Sequence, residues 1–134
     1  MASPRGLSKA CQVTSLGRKH PDRLTPAQFR AAVWERDRGL DRATGEPLSK
    51  TDPDWHHLGN VCHLYGRNVK PEWATDPDRA LLLSFINHIL SDGRGGYRLT
   101  MCDPETGERA EDASKPIRFT LYDKEGHILW TRTS

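Results

Sequence analysis

The glycine cluster Gly93, Gly95 and Gly96 splits this chain into two unlike patterns, and that split limits what it can fold into. Before the cluster, Leu81, Leu82, Phe85, Ile86, Ile89 and Leu90 recur at helical spacing, and the glycines end that helix. Its first residues, Ala80 to Leu83, read equally well as a strand. After the cluster, Tyr97 to Cys102, Ile117 to Tyr122 and His127 to Thr131 are β-like runs, and Asp123-Lys124-Glu125-Gly126 joins the last two as a hairpin. No period of repeat length recurs. The pattern predicts an α+β fold.

Upstream, Thr25-Pro26-Ala27-Gln28 carries the signature of a helix start: a capping hydroxyl, proline at the first helical position, and glutamine at the reciprocal capping-box position. A helix is expected from Pro26 to about Arg38, with Phe29, Ala32, Val33 and Trp34 packing inward. Arg30, Glu35, Arg36 and Asp37 are expected to face water, and Gly39 to stop the helix. Turn residues fill Asp41 to Asp54, with one short pairing expected at Leu48. A short strand is placed near Asn60 to Leu64, and the proline-containing stretch Tyr65 to Asp78 reads as a long loop.

Charge and cysteine content narrow the class. Residues 1–23 carry Arg5, Lys9, Arg18, Lys19 and Arg23 against Asp22 alone, whereas the whole chain is only +2. Such an arm suits either phosphate tracking or simple solubilisation. No apolar run reaches the roughly 20 residues of a membrane helix, and the first 19 residues lack the apolar centre of a signal peptide, so a cytoplasmic protein without a membrane partner is expected. Cys11, Cys62 and Cys102 form no Cys-x-x-Cys pair, which excludes a disulfide framework and a four-thiolate zinc knuckle.

Histidine carries the chemistry. His56, His57, His63 and His88 fall in the middle third of the chain, with His20 and His127 outside it. His88 and Asp92, four residues apart on the expected helix, share a face. Cys62 and His63, adjacent on a strand, point to opposite sides. If that strand pairs antiparallel with Ala80 to Leu83 and the helix folds back on both, Cys62, His88 and Asp92 can converge on one cation, with His63 beside it. Those ingredients suit phosphodiester hydrolysis, in which a cation stabilises developing charge and a neutral imidazole takes a proton from water. The same residues also have a plainer reading, as a satisfied core histidine and a solvated helix edge.

Residues 30–92 resemble the HNH, or ββα-metal, endonuclease family, over about half the chain. Phe29 to Gly39 is similar to the helix that precedes the family's motif, and Ala43 to Leu48 to the turn after it. Val61-Cys62-His63-Leu64 occupies the place of the family's His pair, so the resemblance implies Cys62 as a metal ligand and His63 as general base. Arg79 to His88 has the length of the segment from the family's Asn to its helix His, which puts Arg79 at the Asn, His88 at a ligand and Asp92 at the final ligand. Two residues depart from the pattern: Cys62 replaces Asp or His, and Arg79 replaces the loop-pinning Asn, a task for which Asn68 is an alternative candidate. A thiolate suits Zn²⁺ better than Mg²⁺. Asp41, Ser84 and Asn87 sit where many members carry zinc-binding thiolates, so hydrophobic packing is expected to hold this version together. His57 is a secondary candidate, since the His56-His57 pair lacks an Asn at the right distance before His88.

The resemblance thus implies an HNH core over 24–96, preceded by a basic arm over 1–23 and followed by a C-terminal β extension over 97–134. The implied activity is hydrolysis of DNA phosphodiester bonds with one divalent ion (Mg²⁺, Mn²⁺, Ni²⁺ or Zn²⁺), Arg67 and Lys70 meeting phosphates. The alternatives are a catalytically silent HNH-like module that binds DNA or protein, and a purely structural zinc module.

Overall fold

The computed structural model describes residues 23–51, 55–66 and 69–134. The basic arm, apart from Arg23, and the loop residues Arg67 and Asn68 lie outside the described residues. The chain runs α1 (Pro26–Arg36), β1 (Gly59–His63), β2 (Ala80–Ser84), α2 (Phe85–Ser91), β3 (Arg98–Cys102), β4 (Arg118–Tyr122) and β5 (Ile128–Thr133), with short 3-10 turns between. β1 and β2 form an antiparallel pair, and β3, β4 and β5 an antiparallel sheet in that order. The described residues form an α+β fold, with two α-helices and two small sheets among them.

The start of α1 follows its capping box: Thr25 Oγ1 accepts from the Gln28 amide at 3.1 Å, and Gln28 Oε1 accepts from the Thr25 amide at 2.9 Å. Phe29 and Val33 are its buried residues. Its end differs from expectation. The helix stops at Arg36, Asp37 caps it, and Arg38 and Gly39 both take left-handed backbone, at φ 58° and 67°.

Arg36 and Asp37 turn inward rather than to water. Asp37 is only 6% exposed. Its carboxylate accepts from Arg36 Nε at 2.8 Å, from Arg42 Nη1 at 3.1 Å and from the Leu82 amide at 2.9 Å. Arg36 also donates to the carbonyls of Pro77 and Ala80 at 2.6 and 2.7 Å. A buried carboxylate is tolerated only when so paired. This cluster ties α1 to β2, and no pattern of residue types along the helix reveals it.

The apolar run from Ala80 divides at Ser84. Residues 80–84 form a strand whose five members are all buried, and Ser84 then caps α2, its hydroxyl accepting from the Asn87 amide at 3.1 Å. A strand covered on both faces reads as a continuous apolar run, which is why the sequence left its state open. Ala80 and Leu82 pack with Phe29 and Val33, while Leu81 and Leu83 join Cys62, Leu64, Leu99, Ile117 and Phe119 in the larger core. On α2, Ile86 is 37% exposed and Asn87 is 8%, the reverse of what the apolar spacing implied.

Asn87 belongs to a second buried polar cluster. Asp41, 1% exposed, accepts from the amides of Ala43 and Thr44 at 2.7 and 3.2 Å through Oδ1. Its Oδ2 accepts from the Ser84 amide at 2.9 Å and from Asn87 Nδ2 at 2.8 Å. The expectation that hydrophobic packing alone fills the place of the missing thiolates is therefore corrected: Asp41, Ser84 and Asn87 join the turn to the β2–α2 junction by hydrogen bonds.

Short bridges Leu40 to Pro47 and Ser49 to Leu58 close the connector near the expected Leu48 pairing. β3 and β4 supply Leu99, Met101, Phe119 and Leu121 to the larger core, and β5 is an exposed edge.

Candidate functional site

The antiparallel register sets Cys62 opposite Leu81 and His63 opposite Ala80, so the end of β1 lies beside the start of β2. Alternation then separates the two side chains. Cys62 points into the larger core, 4% exposed, with its sulfur 3.7 Å from Ser91 Oγ on α2. His63 points toward α1, stacked on Phe29 with ring centroids 5.3 Å apart.

Hydrogen bonds assign the proton on each imidazole. His63 Nε2 lies 2.9 Å from the Ala74 carbonyl, which only accepts, so Nε2 carries a hydrogen, and in the neutral ring Nδ1 is the nitrogen with the lone pair. His88 Nδ1 lies 3.3 Å from Asn60 Oδ1, so it donates there, and in the neutral ring Nε2 is the nitrogen with the lone pair. Asn60 stands two residues before Cys62 on β1 and so shares its face toward α2. The partners Phe29, Ala74 and Asn60 were not read from the sequence; for Asn60 the two-residue spacing was the available signal.

One open cleft of about 500 Å³ receives these groups: Cys62, His63, His88 and Asp92 line it, with Arg30 from α1 and Arg109 from the β3–β4 connection. Burial pushes the Cys62 thiol up to about 11; its contact with Ser91 opposes this, the Asp92 charge adds to it, and the Arg109 charge opposes it. At neutral pH Cys62 is a thiol, so a cation binding there has to displace its proton.

The other sequence candidates lie apart from the cleft lining. Arg79 stacks over Trp73 at 4.2 Å, donates to the Glu111 carbonyl and stands 3.7 Å from Asp76. It thus braces Trp73 and the Glu111 carbonyl, while among the described residues its Nε is buried without a hydrogen-bond partner. Lys70 covers Trp73 at 5.0 Å, and His57 sits exposed in a 3-10 turn. Arg67 and Asn68 lie outside the described residues.

Three potential ligand atoms do approach within 4.8 Å of one another elsewhere, on Asp123, Glu125 and His127 at the β4–β5 hairpin, a possible metal-binding group. Among the described residues, Cys62, His88 and Asp92 are not drawn as close as that. The hairpin group is explained by its turn. Asp123 Oδ1 accepts from the amides of Glu125 and His127, both at 2.9 Å, and its other oxygen stands 3.5 Å from His127 Nδ1. The His127 amide bond, first among these, holds the Asp123 carboxyl below its usual range.

Among the described residues no helix is long and apolar enough to cross a membrane. Set against protein-family models, curated proteins and solved structures, the chain matches none.

Proposed function

We propose that the chain is a metal-dependent endonuclease of the HNH, ββα-metal type that hydrolyses DNA phosphodiester bonds, with His63 as general base. One observation carries the reading: the His63 ring, fixed by the Ala74 carbonyl and Phe29, opens its lining onto the cleft that also holds His88 and Asp92. The carbonyl fixes the Nε2–H tautomer, so Nδ1 is the atom that takes a proton from the attacking water. Phe29 limits rotation of the ring and shields one of its faces.

His88 and Asp92, which line the same cleft, are the residues that would hold a divalent cation. His88 presents Nε2 because Asn60 holds Nδ1–H, the arrangement by which ligating histidines are oriented. Cys62, buried and protonated, can join His88 and Asp92 only as a thiolate after losing its proton, a ligand that suits Zn²⁺ and not Mg²⁺. When bound, the ion supplies positive charge against the charge developing on phosphate and leaving oxygen. The same protonated Cys62 favours a second reading, a catalytically silent module of this type that binds DNA or a protein partner.

Cleavage of supercoiled plasmid by the wild type and His63→Ala, with Mg²⁺, Mn²⁺, Ni²⁺, Zn²⁺ or EDTA, tests the first reading. Metal-dependent nicking is expected, reduced about 10²–10⁴-fold in the variant with little change in thermal midpoint. A folded wild type that cuts with none of these ions would leave the silent module standing.

A further inference from the structure

Arg109 reaches the cleft from outside the ββα segment, on the connection between β3 and β4. Its position is fixed twice. Nε and Nη2 both donate to the carbonyl of Leu64, the residue directly after His63, with Nε at 3.0 Å. The guanidinium also lies over the Tyr65 ring, 4.6 Å from its centroid. A guanidinium has five N–H donors in a rigid plane, and these two bonds use one edge of it. Among the described residues Nη1 makes no hydrogen bond, and the side chain belongs to an exposed residue. The result is a cation with an open donor edge, held in place before any ligand arrives, one residue from the imidazole that faces the same space. Arg30 on α1 adds a second positive charge to the cleft lining.

We propose that Arg109 holds a non-bridging oxygen of the DNA phosphodiester beside His63, so that the C-terminal β extension contributes a substrate-binding residue to the site. The inference rests on the phosphodiester-hydrolase reading for its catalytic consequence, and on the cleft geometry alone for the phosphate contact. The planar fork explains why arginine stands there: one edge grips the Leu64 carbonyl while another faces phosphate, which a single ammonium cannot do at once.

The test uses the full chain as wild type, Arg109→Gln and Arg109→Lys, with a short duplex titrated in EDTA over a salt series and cleavage then followed with metal. Each phosphate contact contributes a slope of about −0.9 to log K against log salt, so Arg109→Gln should flatten the slope by about that amount while Arg109→Lys retains it. In cleavage, kcat/KM should fall about tenfold or more in Arg109→Gln and less in Arg109→Lys. An unchanged slope in folded Arg109→Gln, with only a lowered thermal midpoint, would make Arg109 a strut for Leu64 and overturn the proposal. Should Arg109→Gln fail to fold, a wild-type-like kcat/KM in Arg109→Lys overturns it. A flattened slope in a protein that never cuts would retain the phosphate contact and sink the hydrolase reading instead.

Discussion

The cleft gathers two histidines and one carboxylate, the β4–β5 hairpin tip one histidine and two carboxylates, and they differ in what those groups already touch. At the tip, Asp123 is occupied by the two amides of its own turn and by His127, and Glu125 and His127 are exposed. Those contacts are local, within four residues, and follow from an aspartate at the start of the turn. In the cleft, His63 is fixed by Ala74 and Phe29, and His88 by Asn60, residues distant in sequence. Each ring spends one nitrogen on the protein and keeps the other. The tip thus has closely spaced ligand types already engaged by their own turn, whereas the cleft has rings positioned by residues from elsewhere in the chain.

The sharpest way to break this contrast is to exchange losses between the two places. His88→Ala should reduce metal-dependent cleavage by about a hundredfold or more, while a combined Asp123→Ala, Glu125→Ala, His127→Ala variant should cut like the wild type, as read in the same plasmid assay. The opposite result would move the metal to the hairpin.

The next effect concerns the Cys62 proton. With its folded-state value raised to about 11 from 9.0, the unfolded chain loses this proton first as pH rises. The contribution is full below about pH 9 and is lost between pH 9 and 11, amounting to about 2–3 kcal/mol at 1.36 kcal/mol per unit. Urea denaturation across that window should show the loss in the wild type and not in Cys62→Ala. Equal slopes in both would mean that the thiol is less shielded than its 4% exposure states.

Asn60→Ala sharpens the comparison on the cleft side. If Asn60 aims His88, metal affinity measured by calorimetry should fall about 10-fold, with His63-dependent steps untouched once metal is saturating. The smallest effect is expected at the tip. His127→Ala should leave the chemical-denaturation midpoint essentially unchanged, because an exposed pair is screened by water.

Much of the fold was legible because local chemistry dictates it. The capping box at Thr25 and Gln28, the glycine stop after α2 and the Asp123–Gly126 turn depend on neighbours within a few residues, and all three stand where their residue types require. Ala80 to Leu83 was ambiguous for a physical reason: a strand buried on both faces has no alternation to display. Arg36 and Asp37 were misplaced because charge alone suggests solvent, whereas their partners Pro77, Ala80, Arg42 and Leu82 come from later in the chain.

The candidate site divides in the same way. Residue type and spacing alone singled out Cys62, His63, His88 and Asp92, since alternation on a strand and a four-residue step on a helix follow from backbone geometry. Only the tertiary structure decided that these four line one cleft, that Arg79 and Lys70 serve Trp73 instead, and that Arg109 enters from the C-terminal sheet. It also decided the tautomers of His63 and His88, because each depends on an oxygen brought from elsewhere in the chain. A sequence determines which atoms are able to donate or accept; which of them meet is settled when burial leaves each polar group a single place to find its partner.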